Sequence, residues 1–335
     1  MKIALDIYGG DNAPLAPLEG AAAAVRELGI GILAVGKEAE MRALCAEKGI
    51  STAGIDFLDA PLVMPVCAEP TEVLKSYKDS SLALTVRAAA DGMADAAVTA
   101  GSTGATVVAA TFIAKRLKGI KRAALATEMP GLDSNYMMLD LGANVECRPE
   151  MLVQFAVMGA AYMEKTAGVA NPRVGLINIG AEESKGTDLQ KEAYALLRQS
   201  GLNFIGNVEP RDLLFGVCDV AVADGWTGNI VLKTTEGTGL AFSKMVKRMF
   251  TKNVLTKIGS LPMKEGIRDM KRETDYSERG GAPLLGITKP VIKAHGSSDA
   301  IAFRNALEQA KIFYETDVNG AILSALAERK EAKEE

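Results

Sequence analysis

Short apolar runs alternate with longer amphipathic stretches along most of the chain, and this alternation restricts the fold more than any other feature. Strand-like runs occur at residues 2–7, 32–35, 96–100, 137–141, 174–179 and 220–223. Helical periodicity marks residues 14–28, 38–48, 105–117, 150–166 and 187–199 between them. Repeated strand-then-helix units bury their apolar surface by laying helices over both faces of a mostly parallel sheet. The expected fold class is therefore α/β, a three-layer αβα sandwich with a mainly parallel sheet. In such sheets ligands sit where strands lead into helices.

The 335 residues are enough for one large α/β domain or two lobes. Segments 128–133 and 280–290 contain Pro and Gly and read as excursions from the sheet, not as linkers. One catalytic domain spanning 1–335 is expected, with a charged tail at 328–335 that frays.

Four strand-to-helix junctions share Gly, Asn, Asp and Ser. The first runs Asp6-x-x-Gly9-Gly10-Asp11-Asn12-Ala13-Pro14, and the second Ala100-Gly101-Ser102-Thr103-Gly104-Ala105. The third is Asn178-Ile179-Gly180 leading to Glu182-Glu183-Ser184-Lys185-Gly186, and the fourth Asp224-Gly225-Trp226-Thr227-Gly228-Asn229. Glycine lets the backbone turn sharply and approach a ligand closely. A helix starting just afterwards directs unpaired N–H groups and its positive dipole end to the same point, a recipe for holding phosphate or an oxyanion. Any one such junction is ordinarily a tight connection capped by Ser or Asn. Four of them, expected along one sheet edge, point to a ligand site.

Several function classes drop out. A formal charge of −4 does not suit nucleic-acid binding, which needs a basic footprint. No GxxxxGK[ST] is present and no GxGxxG follows the first strand, which removes the usual nucleotide and dinucleotide loops. Cys45, Cys67, Cys147 and Cys218 are scattered, fitting neither a zinc site nor a disulfide framework; reduced cysteines in a cytoplasmic protein are expected. The start, MKIALDIYGGD, meets a charge too early for a signal peptide. Residues 96–114 carry no charge, but the turn 101–104 divides them into a buried strand and a buried helix, so no transmembrane segment is expected.

His295, in Ala294-His295-Gly296-Ser297-Ser298-Asp299, is the only histidine, which removes multi-histidine metal sites. A lone histidine is more often structural, but this one opens a Gly-Ser-Ser turn where a helix begins. An imidazole there can bond phosphate or protonate a leaving group. Lys185, beside Gly186, is either a surface lysine or a cation for phosphate. Asp6, Asp11 and Asp224 suit helix capping as well as Mg²⁺, and neither metal nor cofactor is expected.

From 242 to 272 the chain turns basic, with nine Lys and Arg residues against Glu265 and Asp269. Phe242, Met245, Val246, Met249 and Phe250 fall at helical spacing, extended by Val254, Leu255 and Ile258. Such a basic amphipathic excursion packs on the protein body or a second subunit, lies on a membrane, or docks an acidic partner.

Taken in order, DIYGGDNAP, TAGSTGA, LDLGAN, NPRVGLINIGAEESKG, FIGNVEPRD, DGWTGN, GGAPLLG and AHGSSDA resemble, from Asp6 to Asp299, the bacterial acyl-acyl-carrier-protein:phosphate acyltransferase family of phospholipid synthesis. Two positions depart from the family pattern. Asn12 stands where GGDHAP has histidine, and Ser102 where AGNTGA has asparagine. The resemblance implies a fold like the isocitrate and isopropylmalate dehydrogenases, a homodimer and peripheral membrane association. It also implies an acyl phosphate product for a membrane glycerol-3-phosphate acyltransferase.

On that resemblance phosphate itself attacks the acyl thioester of acyl carrier protein, and no enzyme nucleophile is needed. The protein would position the substrates, stabilise the oxyanion and help the thiolate leave. Amides of Gly101–Gly104 and Gly225–Asn229 are assigned to phosphate or oxyanion. Lys185 and His295 supply charge or a proton, and Asn144, Asp224 and Asn229 orient. Gly9, Gly10, Asp11, Gly180, Thr227 and Gly228 complete the expected substrate-binding loops around Asp6. The rivals are a phosphotransacetylase-like enzyme using short acyl-CoA, a dehydrogenase on the same fold, and a non-catalytic membrane scaffold built on the basic helix.

Overall fold

Successive side chains of a strand face opposite ways, so a strand that is apolar throughout must be covered on both faces. The computed structural model describes residues 1–253, 256, 259, 263, 265–266 and 280–334. Its strands are β1 (Lys2–Asp6), β2 (Gly31–Gly36), β3 (Ile55–Asp59), β4 (Ala96–Thr99), β5 (Ala124–Met129), β6 (Tyr136–Leu139), β7 (Val174–Ile177), β8 (Phe204–Val208), β9 (Val220–Val222), β10 (Ala282–Leu285) and β11 (Val291–Lys293). They form one 11-stranded sheet in the order β3-β2-β1-β4-β11-β10-β5-β6-β9-β7-β8. Ile3 and Leu5, Ala96 and Val98, and Met137 and Leu139 enter the core on one face. Ala4, Ala97 and Met138 enter the other.

The helices are α1 (Leu15–Leu28), α2 (Glu38–Lys48), α3 (Ser81–Ala90), α4 (Thr103–Ala109), α5 (Pro149–Thr166), α6 (Asp188–Arg198), α7 (Gly225–Phe250), α8 (Ala300–Glu315) and α9 (Val318–Glu334). One layer holds α1, α2, α5, α6, α8 and α9 around Phe155, Phe303 and Phe313. The other holds α3, α4 and the base of α7 against Met138, Leu141 and Ala221. The expected αβα sandwich is observed. Helix α4 stops short of the expected 117: a wider π turn covers Ala110–Ala114, and Lys115 ends it at φ 71°. Among the described residues no helix is long and apolar enough to cross a membrane. Residues 328–334 of the charged tail continue α9.

The sheet reverses direction at its middle. Strands β3, β2, β1, β4 and β11 run parallel, β10 is antiparallel to both β11 and β5, and β5 is antiparallel to β6. From β6 onward β9, β7 and β8 are again mutually parallel. Loops following β1, β4 and β11 therefore leave one edge, and those following β6, β7 and β9 leave the other. The expectation of four glycine-rich loops on one edge is corrected to two on each. The cause lies in the segments expected as excursions. β5 reaches Met129 and β10 falls within 280–290, and these strands supply the antiparallel pairs that turn the sheet over.

Candidate active site

The loop after β1 and the loop after β4 are built as one unit. The buried Asp6 carboxylate accepts from Thr99 Oγ1 at 2.7 Å and from the Tyr8 amide at 3.1 Å, while Thr99 Oγ1 accepts from the Gly101 amide at 3.0 Å. Burial pushes the Asp6 pKa up, against hydrogen bonds from Ser81, Thr99 and two backbone amides. A Cβ at Gly9 would lie 2.7 Å from both Asp6 Oδ2 and the Gly101 nitrogen, so only glycine lets these loops touch.

The His295 turn is laced to the same unit. The Asp11 amide donates to the Gly296 carbonyl at 2.7 Å, and Asn12 Nδ2 donates to the Ser297 and Ser298 carbonyls, each at 3.1 Å. Asp299 accepts from the Ala302 amide at 2.9 Å and caps α8, a different task from orienting an imidazole. The Ser297 amide donates to His295 Nδ1 at 3.2 Å, with Ser297 Oγ 2.8 Å from the same nitrogen. An Nδ1 that accepts from an amide puts the neutral ring's proton on Nε2. Partial burial pushes the His295 pKa down. Lys233 and Lys293 add to the depression, while Glu236 and Asp11 oppose it.

On the opposite edge, the buried Asp140 organises the loop after β6. Its carboxylate accepts from the amides of Leu125 (2.9 Å), Ala143 (3.2 Å) and Asn144 (2.7 Å). Asn144 Nδ2 donates to the Ala123 carbonyl at 2.7 Å and to Asp140 at 2.8 Å, which commits that amide to holding the loop. Helix α7 begins directly on this loop. The Gly225 amide donates to the Asn144 carbonyl at 2.8 Å, and Asp224 caps the helix through the Thr227 amide and hydroxyl, both at 2.8 Å. A Cβ on Gly228 would fall 1.9 Å from the Asp140 carbonyl oxygen. These internal bonds commit the amides of Gly225, Thr227 and Gly228 to holding the helix start itself.

The two edges meet over the middle strands in a cavity of about 280 Å³. Its apolar wall includes Leu125, Leu141 and Leu232, and its polar groups include Thr103, Asn229, Lys233, Glu236, Lys293 and His295. Thr103 and Gly104 open α4, whose first-turn amides have no intrahelical acceptor and whose N-cap Ser102 makes no side-chain cap. Lys293 ends β11 largely buried. Its ammonium donates to the Ala100 carbonyl at 3.3 Å and to the Ala294 carbonyl at 2.5 Å. Burial pushes its pKa down to about 8, with Asp6 and Asp11 opposing and Lys233 reinforcing. Two cations, an imidazole N–H and a carboxamide thus converge beside an apolar wall. Such a site can hold a phosphate oxygen against an acyl carbonyl and stabilise the oxyanion between them.

Of the expected site residues, Thr103, Gly104, Asn229 and His295 line this cavity. Asp6, Gly9, Gly10, Asp11, Gly101 and Ser102 stand behind its wall as the framework of the first two loops. Asn144, Asp224, Gly225, Thr227 and Gly228 form the framework on the other edge. Lys185 and Gly180 lie on the loop after β7. There the Asn178 carboxamide donates to the Lys185 carbonyl at 3.1 Å, and Lys185 makes a loose, exposed pair with Glu182 at 3.9 Å.

The family model for the fatty acid synthesis protein matches residues 1–321. The phosphate acyltransferase of Bacillus pumilus is 46% identical over 324 residues, covering 96% of each chain. That of Clostridium acetobutylicum is 45% identical over 311 residues, covering 92% of this chain and 94% of its own. The chain belongs to the fatty acid synthesis protein family. In fold it is similar to phosphotransacetylases from Streptococcus pyogenes (TM-score 0.62, 19% identity, covering 98% of this chain and 94% of that one) and Staphylococcus aureus (TM-score 0.61, 18% identity, 95% and 94%).

Within this family member the sequence reading missed Lys293, Lys233 and Glu236. A signal existed for each. Asn229, Lys233 and Glu236 follow at i, i+4 and i+7 on one helix face, a polar stripe that begins at the glycine-rich junction. Lys293 is the one charge in the strand Val291–Lys293, two residues before the histidine.

Proposed function

We propose that this chain transfers a fatty-acyl group from acyl carrier protein to inorganic phosphate. A phosphate oxygen attacks the thioester carbonyl, the carbon–sulfur bond breaks, and acyl phosphate and the carrier thiol result. The observation that carries this reading is the convergence of Lys293, Lys233 and His295 beside the apolar wall of one cavity. The full-length likeness to phosphate acyltransferases supports it. Phosphate sits against the two ammonium groups and the first-turn amides of α4. His295 Nε2–H and the Asn229 carboxamide donate to the developing oxyanion, and the apolar wall receives the start of the acyl chain. Glu236, ion-paired to Lys233 at 3.2 Å, holds that lysine in register. Lys185 contributes where a substrate group extends to the loop after β7, and its alanine variant tests that role.

The product serves a membrane glycerol-3-phosphate acyltransferase, and the protein works in the cytoplasm as a homodimer that touches the membrane peripherally. Exposed Phe242, Met245 and Met249 on α7 support the membrane contact, because water-facing apolar side chains beside lysines suit a lipid interface. Hydroxylamine trapping of acyl phosphate from palmitoyl-carrier protein and phosphate tests the reaction, with acetyl-CoA in parallel. Palmitoyl hydroxamate formed in excess of that from the thioester alone, and only when both phosphate and enzyme are present, supports it. Acetyl transfer alone overturns it in favour of the short-chain reaction.

A further inference from the structure

Beyond the loop that closes the cavity lies a second cleft, of about 740 Å³, and its chemistry differs. Arg116, Lys121, Arg122 and Arg148 line it, with Glu146 the only acidic side chain on its wall among the described residues. Residues 115–122 hold five basic side chains and no acidic one, in a chain whose formal charge is −4. The Arg116 guanidinium donates to the Lys121 carbonyl, which folds this segment back on itself, and Lys121 Nζ stands 3.5 Å from Glu150. Among the described residues no ion pair engages Arg122 or Arg148, and both side chains are exposed. Concentrating like charges costs free energy unless an opposite charge arrives from outside.

The cleft is physically joined to the cavity. Leu141 and Gly142 line the cavity, while Glu146, Cys147 and Arg148 on the same loop line the cleft. The chain from Gly142 to Cys147 spans at most about 18 Å at full extension. Val145, 62% exposed between the two, adds an apolar contact at the rim.

We propose that this cleft is the docking surface for the acidic face of the acyl-carrier protein, which reaches the cavity with its thioester arm across the Gly142–Cys147 loop. The proposal rests on the acyl transfer proposed above and adds where the carrier sits. The partner is a protein because the cations are spread over an open groove, where they match an extended acidic surface. A small anion needs donors converging on one point.

The test is the double variant Arg122→Glu, Arg148→Glu, compared with wild type on two substrates. One is palmitoyl-carrier protein and the other the uncharged palmitoyl thioester of N-acetylcysteamine. The carrier KM is expected to rise roughly tenfold or more and its salt dependence to flatten, as for removal of rim charges. The carrier kcat and the kcat/KM of the uncharged thioester are expected to stay unchanged. An unaltered carrier KM overturns the proposal. So does an equal loss on both substrates, or a change confined to vesicle binding or oligomeric state. Fluorescence anisotropy of labelled carrier protein separates this inference from the reaction itself. Undiminished binding by the double variant sinks the docking surface, whereas binding by wild type without acyl-phosphate formation sinks only the reaction.

Discussion

Because Nδ1 of His295 accepts the Ser297 amide, the ring is held as a neutral donor through Nε2, and protonation costs it that hydrogen bond. Its pKa lies below the ordinary histidine value of 6.5, so the unfolded chain binds the proton more tightly. This contribution to stability is complete above 6.5 and is lost as pH falls through the folded pKa. The pH–kcat profile is expected to show an acid limb below 6.5, absent from a His295→Gln enzyme. His295→Ala is expected to lower kcat by roughly 10²–10³-fold, the cost of one preorganised oxyanion donor. A loss under tenfold assigns the residue to loop structure instead.

Lys293 works in the opposite pH range. Its folded pKa of about 8 lies below the ordinary 10.5, so the unfolded chain holds the extra proton between those values. The stability cost of this buried ammonium is therefore complete below pH 8 and relieved as pH rises towards 10.5. Chemical denaturation of wild type against Lys293→Met is expected to show the two midpoints converging over that window. Activity that needs the ammonium falls through the same window as pH rises. A wild-type pH profile flat from 7 to 10 removes the ammonium from the chemistry.

At the scale of elements, α7 is fixed at one end and stands clear at the other. Of its 26 residues only Gly225 and Gly228 are buried. Everything that aims Asn229 and Lys233 into the cavity is decided in its first turn. Gly228→Ala puts a methyl carbon 1.9 Å from the Asp140 carbonyl oxygen, which forces the helix off its loop. That substitution is expected to cost about 3 kcal/mol of stability in urea unfolding and most of the activity. Asp224→Ala removes a cap alone and is expected to cost about 1–2 kcal/mol. Equal, small effects from both substitutions mean that α7 is not seated by this contact. Asn12 shows a similar division of labour across loops. Its carboxamide pins the Ser297 and Ser298 carbonyls, a structural task for which an amide donor suffices.

At the scale of the whole molecule, the site exists only because the two halves of the sheet run in opposite directions and meet over β10 and β5. A ligand that bridges the halves stabilises the native state by mass action, about 2.7 kcal/mol at a hundredfold excess over Kd. Inorganic phosphate is therefore expected to raise the Tm of wild type and not that of Lys293→Met, measured by scanning calorimetry with sulfate as the competing oxyanion. An equal rise in both proteins puts phosphate elsewhere.

The alternation of apolar runs and amphipathic stretches determined the αβα class, because period-2 and period-3.6 burial is written locally in the chain. The glycine-rich loops were legible for the same reason: close approaches of backbone to its neighbours demand glycine wherever they occur, as at Gly9 and Gly101. What those glycines serve was not legible. Asp6, Asn144, Asp224 and Thr227 use their polar atoms on neighbouring backbone and side chains, and only tertiary structure reveals which donors remain for a ligand. The direction of the sheet was hidden as well. It depends on β5 and β10, short strands among Pro and Gly whose pairing partners lie far along the chain, and long-range pairing leaves no local signature. Sequence thus determined the layers, the loops and the solitary His295. Tertiary structure alone decided that Lys233, and not the cation beside Gly186, joins Lys293 and His295 in the cavity, because that convergence requires α7, which follows β9, to reach the end of β11 across the reversal of the sheet.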